Sequence, residues 1–88
     1  MRDILVRRMP WVDAVEREGE LLVLIGERVL LLSTLARAIV EATDAWTPVG
    51  EIVAMLEAEF GVPDGVDPDA VARAAIDALA ADGVVALR

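Results

Sequence analysis

The sequence predicts an α+β domain in which a three-stranded antiparallel sheet is followed by three helices. Three observations carry that prediction. The N-terminal half holds short apolar runs, Trp11–Arg17, Leu21–Ile25 and Arg28–Leu32, separated by turn signals. The C-terminal half holds apolar residues at helical spacing, each stretch opened by a capping residue: Ser33, Thr47 and Asp67. At 88 residues the chain fits one domain, and no linker, repeat or low-complexity tract divides residues 1–88.

Trp11–Arg17 (WVDAVER) mixes apolar and charged residues in short alternation and reads as a strand, with Glu18-Gly19 as a turn signal. Leu21–Ile25 (LLVLI) is the second strand. Gly26-Glu27 places glycine first, which suits a two-residue type II′ turn, and Arg28–Leu32 (RVLLL) is the third. This turn sets a register in which Ile25 faces Arg28, Leu24 faces Val29, Val23 faces Leu30 and Leu22 faces Leu31. Cross-strand partners share a face, so both faces of the hairpin are apolar. One packs on the helices; the other needs a cover or a partner. The run Leu21–Val40 has the length of a membrane span. A bilayer helix there would bury Glu27 and Arg28 at considerable cost, so a hairpin leading into a helix is expected instead.

Ser33 is a good N-cap for a helix over Thr34–Thr43, whose apolar stripe is Leu35, Ala36, Ile39 and Val40. After the short connection Asp44–Trp46, Thr47 is expected to cap a second helix with Pro48 at its first position. Val49, Ile52, Val53, Leu56 and Phe60 form its stripe. The segment GVPDGVDP breaks that helix. Asp67 caps a third, with Pro68 first and Val71, Ala72, Ala75, Ile76 and Leu79 as the buried side. Asp69, Arg73 and Asp77 make a charged stripe on another side. Gly83 is a C′ stop, and Val84–Leu87 is a short extended segment. The resulting order, β-β-β-α-α-α-(β), is winged-helix-turn-helix-like.

Composition narrows the chemistry. The chain has no cysteine, histidine or lysine, which leaves carboxylates, Ser33, a few threonines and eight arginines. That is a poor kit for an enzyme, so no catalytic residue, metal or cofactor is expected. Asp64, Asp67 and Asp69 lack the Asp-x-Asp-x-Asp-Gly order of a calcium loop. Asp13, Glu16, Glu18 and Glu20 read as a solubilising hairpin face. Trp46, in the connection between helices, reads as a lid over a small core or as a docking residue for a partner enzyme. The net charge of −8 repels polyanions overall. The basic start MRDILVRRMP has an apolar run of only Ile4–Val6, too short for a signal peptide, so a cytoplasmic protein is expected.

Read together, RVLLLSTLARAIVEAT, TPVGEIVAMLEAEFGV and DPDAVARAAIDALAADGVV resemble the PqqD-like family of RiPP recognition elements, over roughly residues 11–85. The family's strand ending in Leu before a polar cap appears as Leu32-Ser33. Its small-x-x-Ile appears as Ala36 and Ile39. Its second-helix pattern appears as Thr47, Val49, Glu51, Ile52 and Leu56, with Pro48 interposed. Its third-helix pattern appears as Asp69, Leu79 and Gly83. The family often has Asp-Gly between the first two helices; here the stretch is Asp44-Ala45-Trp46.

The resemblance implies a module without chemistry of its own. It would bind the leader of a ribosomally made precursor peptide and present it to a maturation enzyme, such as a radical SAM enzyme, a leader peptidase or a cyclase. In the family the leader adds as a strand to the third strand and lies against the third helix. By position, the expected peptide-binding residues are Arg28, Val29, Leu30, Leu31 and Leu32 on the strand. On the helix they are Asp69, Ala72, Arg73, Ile76 and Asp77. An edge strand offers open backbone groups for such pairing, and a homodimer through that edge is a further expectation.

The alternative is a winged-helix DNA-binding or regulatory protein. Its recognition helix would carry Asp69, Asp77 and Asp82 against Arg73, the wrong sign for phosphate contact, so neither nucleic acid nor membrane is expected as a partner. A carrier protein needs a modifiable serine in an Asp-Ser-Leu context; Ser33 stands in Leu-Ser-Thr.

Overall fold

The computed structural model describes residues 4–10, 13–18, 20–25 and 27–88. Residues 1–3, Trp11, Val12, Gly19 and Gly26 lie outside the described residues. They include the start of the first expected strand and the glycine of each expected hairpin turn.

The fold is α+β, with two small antiparallel sheets and three helices. In chain order the elements are β1 (Leu5–Arg8), β2 (Asp13–Arg17), β3 (Glu20–Ile25), β4 (Arg28–Leu32), α1 (Thr34–Ala42), β5 (Thr47–Pro48), α2 (Val49–Phe60), α3 (Pro68–Ala81) and β6 (Val85–Leu87). Strands β2, β3 and β4 form the expected meander. Its last hairpin keeps the register read from the turn, from Ile25 opposite Arg28 to Leu22 opposite Leu31. The run that has a membrane span's length is therefore most of β3, β4 and most of α1. No helix among the described residues is long and apolar enough to cross a membrane.

The second sheet corrects the expectation of a single one. β1 is its central strand, paired antiparallel with β5 on one side and β6 on the other. The sequence reading took Leu5–Arg8 for a basic N-terminal segment. Val6 is fully buried while Arg7 and Arg8 are exposed, so this short strand shows no period of its own. Its partners, Thr47-Pro48 and Val85–Leu87, are distant in sequence.

The same sheet displaces Thr47 from its expected role. Thr47 pairs with Val6, and its hydroxyl donates to the carbonyls of Ala45 (2.8 Å) and Ala42 (3.3 Å). Pro48, not Thr47, occupies the N-cap position of α2, with no side-chain cap bond. The other caps stand as expected. Ser33 Oγ accepts from the Ala36 N–H at 3.1 Å, and Asp67 Oδ1 accepts from the N–H groups of Asp69 and Ala70. Gly83 follows the C-cap Asp82 with φ +78°, a conformation that glycine adopts without steric cost.

The helices and strands of both sheets share one core. Val6, Val23, Ile39, Val49, Ile52 and Val84 are almost wholly shielded from water. Each such side chain contributes about 1.5–3 kcal/mol relative to an exposed one. Thr43 is the buried polar residue among them. Its hydroxyl donates to the Val40 carbonyl at 3.2 Å, and its own carbonyl accepts from the Arg8 N–H at 2.9 Å, which ties the end of α1 to β1. Two residues of the expected stripes depart from the core: Phe60 is 44% exposed and Val71 is 43% exposed.

Candidate docking edge and apolar cleft

β4 pairs with β3 and with no other described strand, so its second side is an open edge. A two-residue loop makes its flanking residues, Ile25 and Arg28, a hydrogen-bonded pair. Alternation then turns the N–H and C=O groups of Val29 and Leu31 to the open side. The side chains alternate as well. Leu30 and Leu32 face the core, with Leu32 buried, whereas Val29 and Leu31 are 65% and 58% exposed on the outer face. Leu22 and Leu24 of β3 share that outer face by register.

Two contacts relate α3 to β4 and to the residues that follow it. At one end, Arg28 Nη2 bonds Asp82 Oδ1, the C-cap of α3, at 3.2 Å. At the other, Leu35, just past the end of β4, shares a cleft with Val71 and Ala72 of the first turns of α3. With about 100° between successive helical residues, Val71, Ala75, Ala78 and Asp82 fall on one flank, the flank whose Asp82 pairs with Arg28 of β4. Asp69, Arg73 and Asp77 fall on the opposite flank. There Arg73 and Asp77 border a small pocket with Ile4, Val49 and Leu87, beside the second sheet.

The residues expected to bind a peptide therefore divide. Arg28, Val29, Leu30, Leu31 and Leu32 stand together on the open strand. Ala72 and Ile76 lie inside the core, at 0% and 2% exposure, and support the helix from behind. Asp69, Arg73 and Asp77 stand away from the β4 edge, with Arg73 Nε bound to Asp69 Oδ2 at 2.8 Å. Asp82, which the sequence reading weighed only as a charge against DNA, is the C-cap of α3 and pairs with Arg28 of the edge strand.

The cleft has a volume of about 190 Å³. Leu35, Leu56, Phe60, Val62, Val66 and Val71 wall it. Sequence reasoning missed it because it placed Phe60 and Val71 in the core. The surviving signal was the apolar content of GVPDGVDP, whose Val62 and Val66 are 49% and 38% exposed. A glycine at 61 lets α2 end with φ +75° and turn the chain across the cleft's lip.

Two further contacts hold the frame. Arg37 of α1 bonds Glu41 (2.8 Å) and reaches Glu16 of β2 (3.0 Å). The hydrogen bond to Glu41, then that to Glu16, raises its pKa above the ordinary arginine value. Glu16 is thus a tie between sheet and helix as well as part of a charged hairpin face. Trp46 is half-buried, and the Arg88 guanidinium lies 5.5 Å from the centroid of its ring. Among the described residues no group of three or more Cys, His, Asp or Glu is placed to hold a metal ion.

Compared with protein-family models, with curated proteins and with solved structures, the chain matches none.

Proposed function

We propose that this protein binds an extended segment of a partner peptide by strand addition to β4. The peptide is the leader of a ribosomally made precursor, and the complex is presented to a maturation enzyme. In this reading β2–β4 and α1–α3 make a winged-helix-like recognition module, and the second sheet is an addition that braces it. The chain itself performs no chemistry.

One observation carries the proposal: β4 has an open side with exposed Val29 and Leu31, and Arg28 at its start is tied to the C-cap of α3, a helix that carries Ala75 and Ala78 on the same side as that cap. An added strand gains main-chain hydrogen bonds there, and small side chains let its backbone approach closely. The Arg28–Asp82 pair closes one end of the path. Both partners are about half exposed, so a carboxylate of the guest can replace Asp82 on Arg28 at little cost.

The test is Leu31→Pro. Proline is tolerated on an edge strand when the lost N–H faces solvent, so the fold should survive. Leader peptides from candidate precursors are titrated against the parent and the variant, with amide shifts followed by NMR. Binding at micromolar or better affinity, with shifts along β4 and the Asp82 flank of α3, is expected for the parent only. Equal affinity for a folded Leu31→Pro variant refutes strand addition. Strong, salt-sensitive duplex binding would instead favour the DNA-binding alternative.

A further inference from the structure

We infer that the apolar cleft receives a cationic segment of the guest peptide. That segment carries one large apolar side chain flanked by arginine or lysine, and it lies N-terminal to the residues that pair with β4. The inference rests on strand addition for the path of the peptide, and on the cleft's own chemistry for its composition.

Size sets the first constraint. A cavity of roughly 150 Å³ holds a benzene molecule, so a cleft of about 190 Å³ has room for one phenylalanine- or leucine-sized side chain. Its walls offer almost no polar partner apart from Glu57. Phe60, Val62, Val66 and Val71 all leave substantial surface in water there. A concentration of exposed apolar surface in one concavity marks a binding site more often than scattered single residues do.

Charge sets the second. The residues that border these walls in sequence are Glu57, Glu59, Asp64, Asp67 and Asp69, all exposed. No arginine or lysine occurs between Ala38 and Ala72. Asp69 is met by Arg73, and Asp67 by the backbone N–H groups of α3. Among the described residues, no ion pair involves Glu57, Glu59 or Asp64. An apolar hollow with Glu57 in its wall, and with Glu59 and Asp64 next in sequence to wall residues, selects a ligand that is apolar at its tip and positive beside it.

Direction follows from pairing. Antiparallel addition is the more stable mode. An antiparallel guest on β4 runs from the Leu32 end toward Arg28. Its residues before the paired segment therefore lie over Leu35 and the mouth of the cleft.

Three synthetic peptides test this. The first carries Arg-Phe-Arg, a Ser-Gly spacer and Thr-Val-Thr-Val-Thr. The second places Arg-Phe-Arg after the Thr/Val segment. The third replaces Arg-Phe-Arg by Glu-Phe-Glu. Affinity is measured by calorimetry at low and physiological salt, and contacts by NMR shifts. The first peptide should bind about tenfold or more tightly than the third at low salt, with the gap shrinking as salt is added. Only the first should move the resonances of Phe60, Val62, Val66 and Val71. A Glu57→Gln/Glu59→Gln variant should lose most of the gap. Shifts along β4 with all three peptides, but no preference for charge or order, overturn the cleft inference alone. No β4 shifts with any peptide overturn strand addition, and this inference with it.

Discussion

Val6 and Val29 have the same side chain and opposite surroundings, and replacing each by alanine tests the architecture directly. Val6 is 0% exposed at the centre of the second sheet; Val29 is 65% exposed on the β4 edge. Val6→Ala removes two buried carbons, about 1.6 kcal/mol at roughly 0.8 kcal/mol each. The void left behind adds about 1 kcal/mol more, for a total near 2.5 kcal/mol. An 88-residue domain has a stability of about 4–13 kcal/mol, so the variant folds but with much less margin. Val29→Ala should change stability by less than about 0.5 kcal/mol. Urea denaturation with equal slopes measures both, and Val6→Ala should lower the midpoint by about 1–2 M. Equal effects from the two substitutions would refute the placement of β1 in the core.

Other substitutions probe the local devices. Asp67→Ala should cost about 1 kcal/mol and Asp67→Asn much less, because either cap oxygen can accept from the first turn of α3; thermal melts of the pair check it. Glu18 has φ +52° in the turn after β2, so Glu18→Gly should raise stability by about 0.5–1 kcal/mol. Gly83→Ala should lower it by about 1 kcal/mol through backbone strain alone, since an added Cβ meets nothing within 4 Å. The thermal shifts of these two should have opposite signs. A double-mutant cycle on Arg28→Ala and Asp82→Ala should return less than about 1 kcal/mol of coupling, falling with added salt, because both groups are half exposed.

Much of the docking edge was legible in the residues. RVLLL follows a two-residue turn and precedes a capped helix, and those facts alone place it last in a meander with one side open. The helical flank was harder to read. The stripe Asp69-Arg73-Asp77 is a true helical side, yet it borders the second sheet, and no property of α3 alone says which side meets β4. Asp82 meets Arg28, 54 residues away in sequence, only through the tertiary placement of the end of α3. The cleft was hidden for a related reason. Phe60 and Val71 sit at the margins of their stripes, where neighbours rather than spacing decide exposure.

Local chemistry determined the hairpin register, the Ser33 and Asp67 caps, the Gly83 stop and the three helices, because turns and caps are settled within a few residues of chain. Tertiary structure decided the rest. The second sheet joins segments from the start, middle and end of the chain, each too short to declare a period. Their pairing stabilises a strand only when the helical core brings them together, and that same core turns Val6 inward and leaves Phe60 and Val71 at the mouth of a cleft.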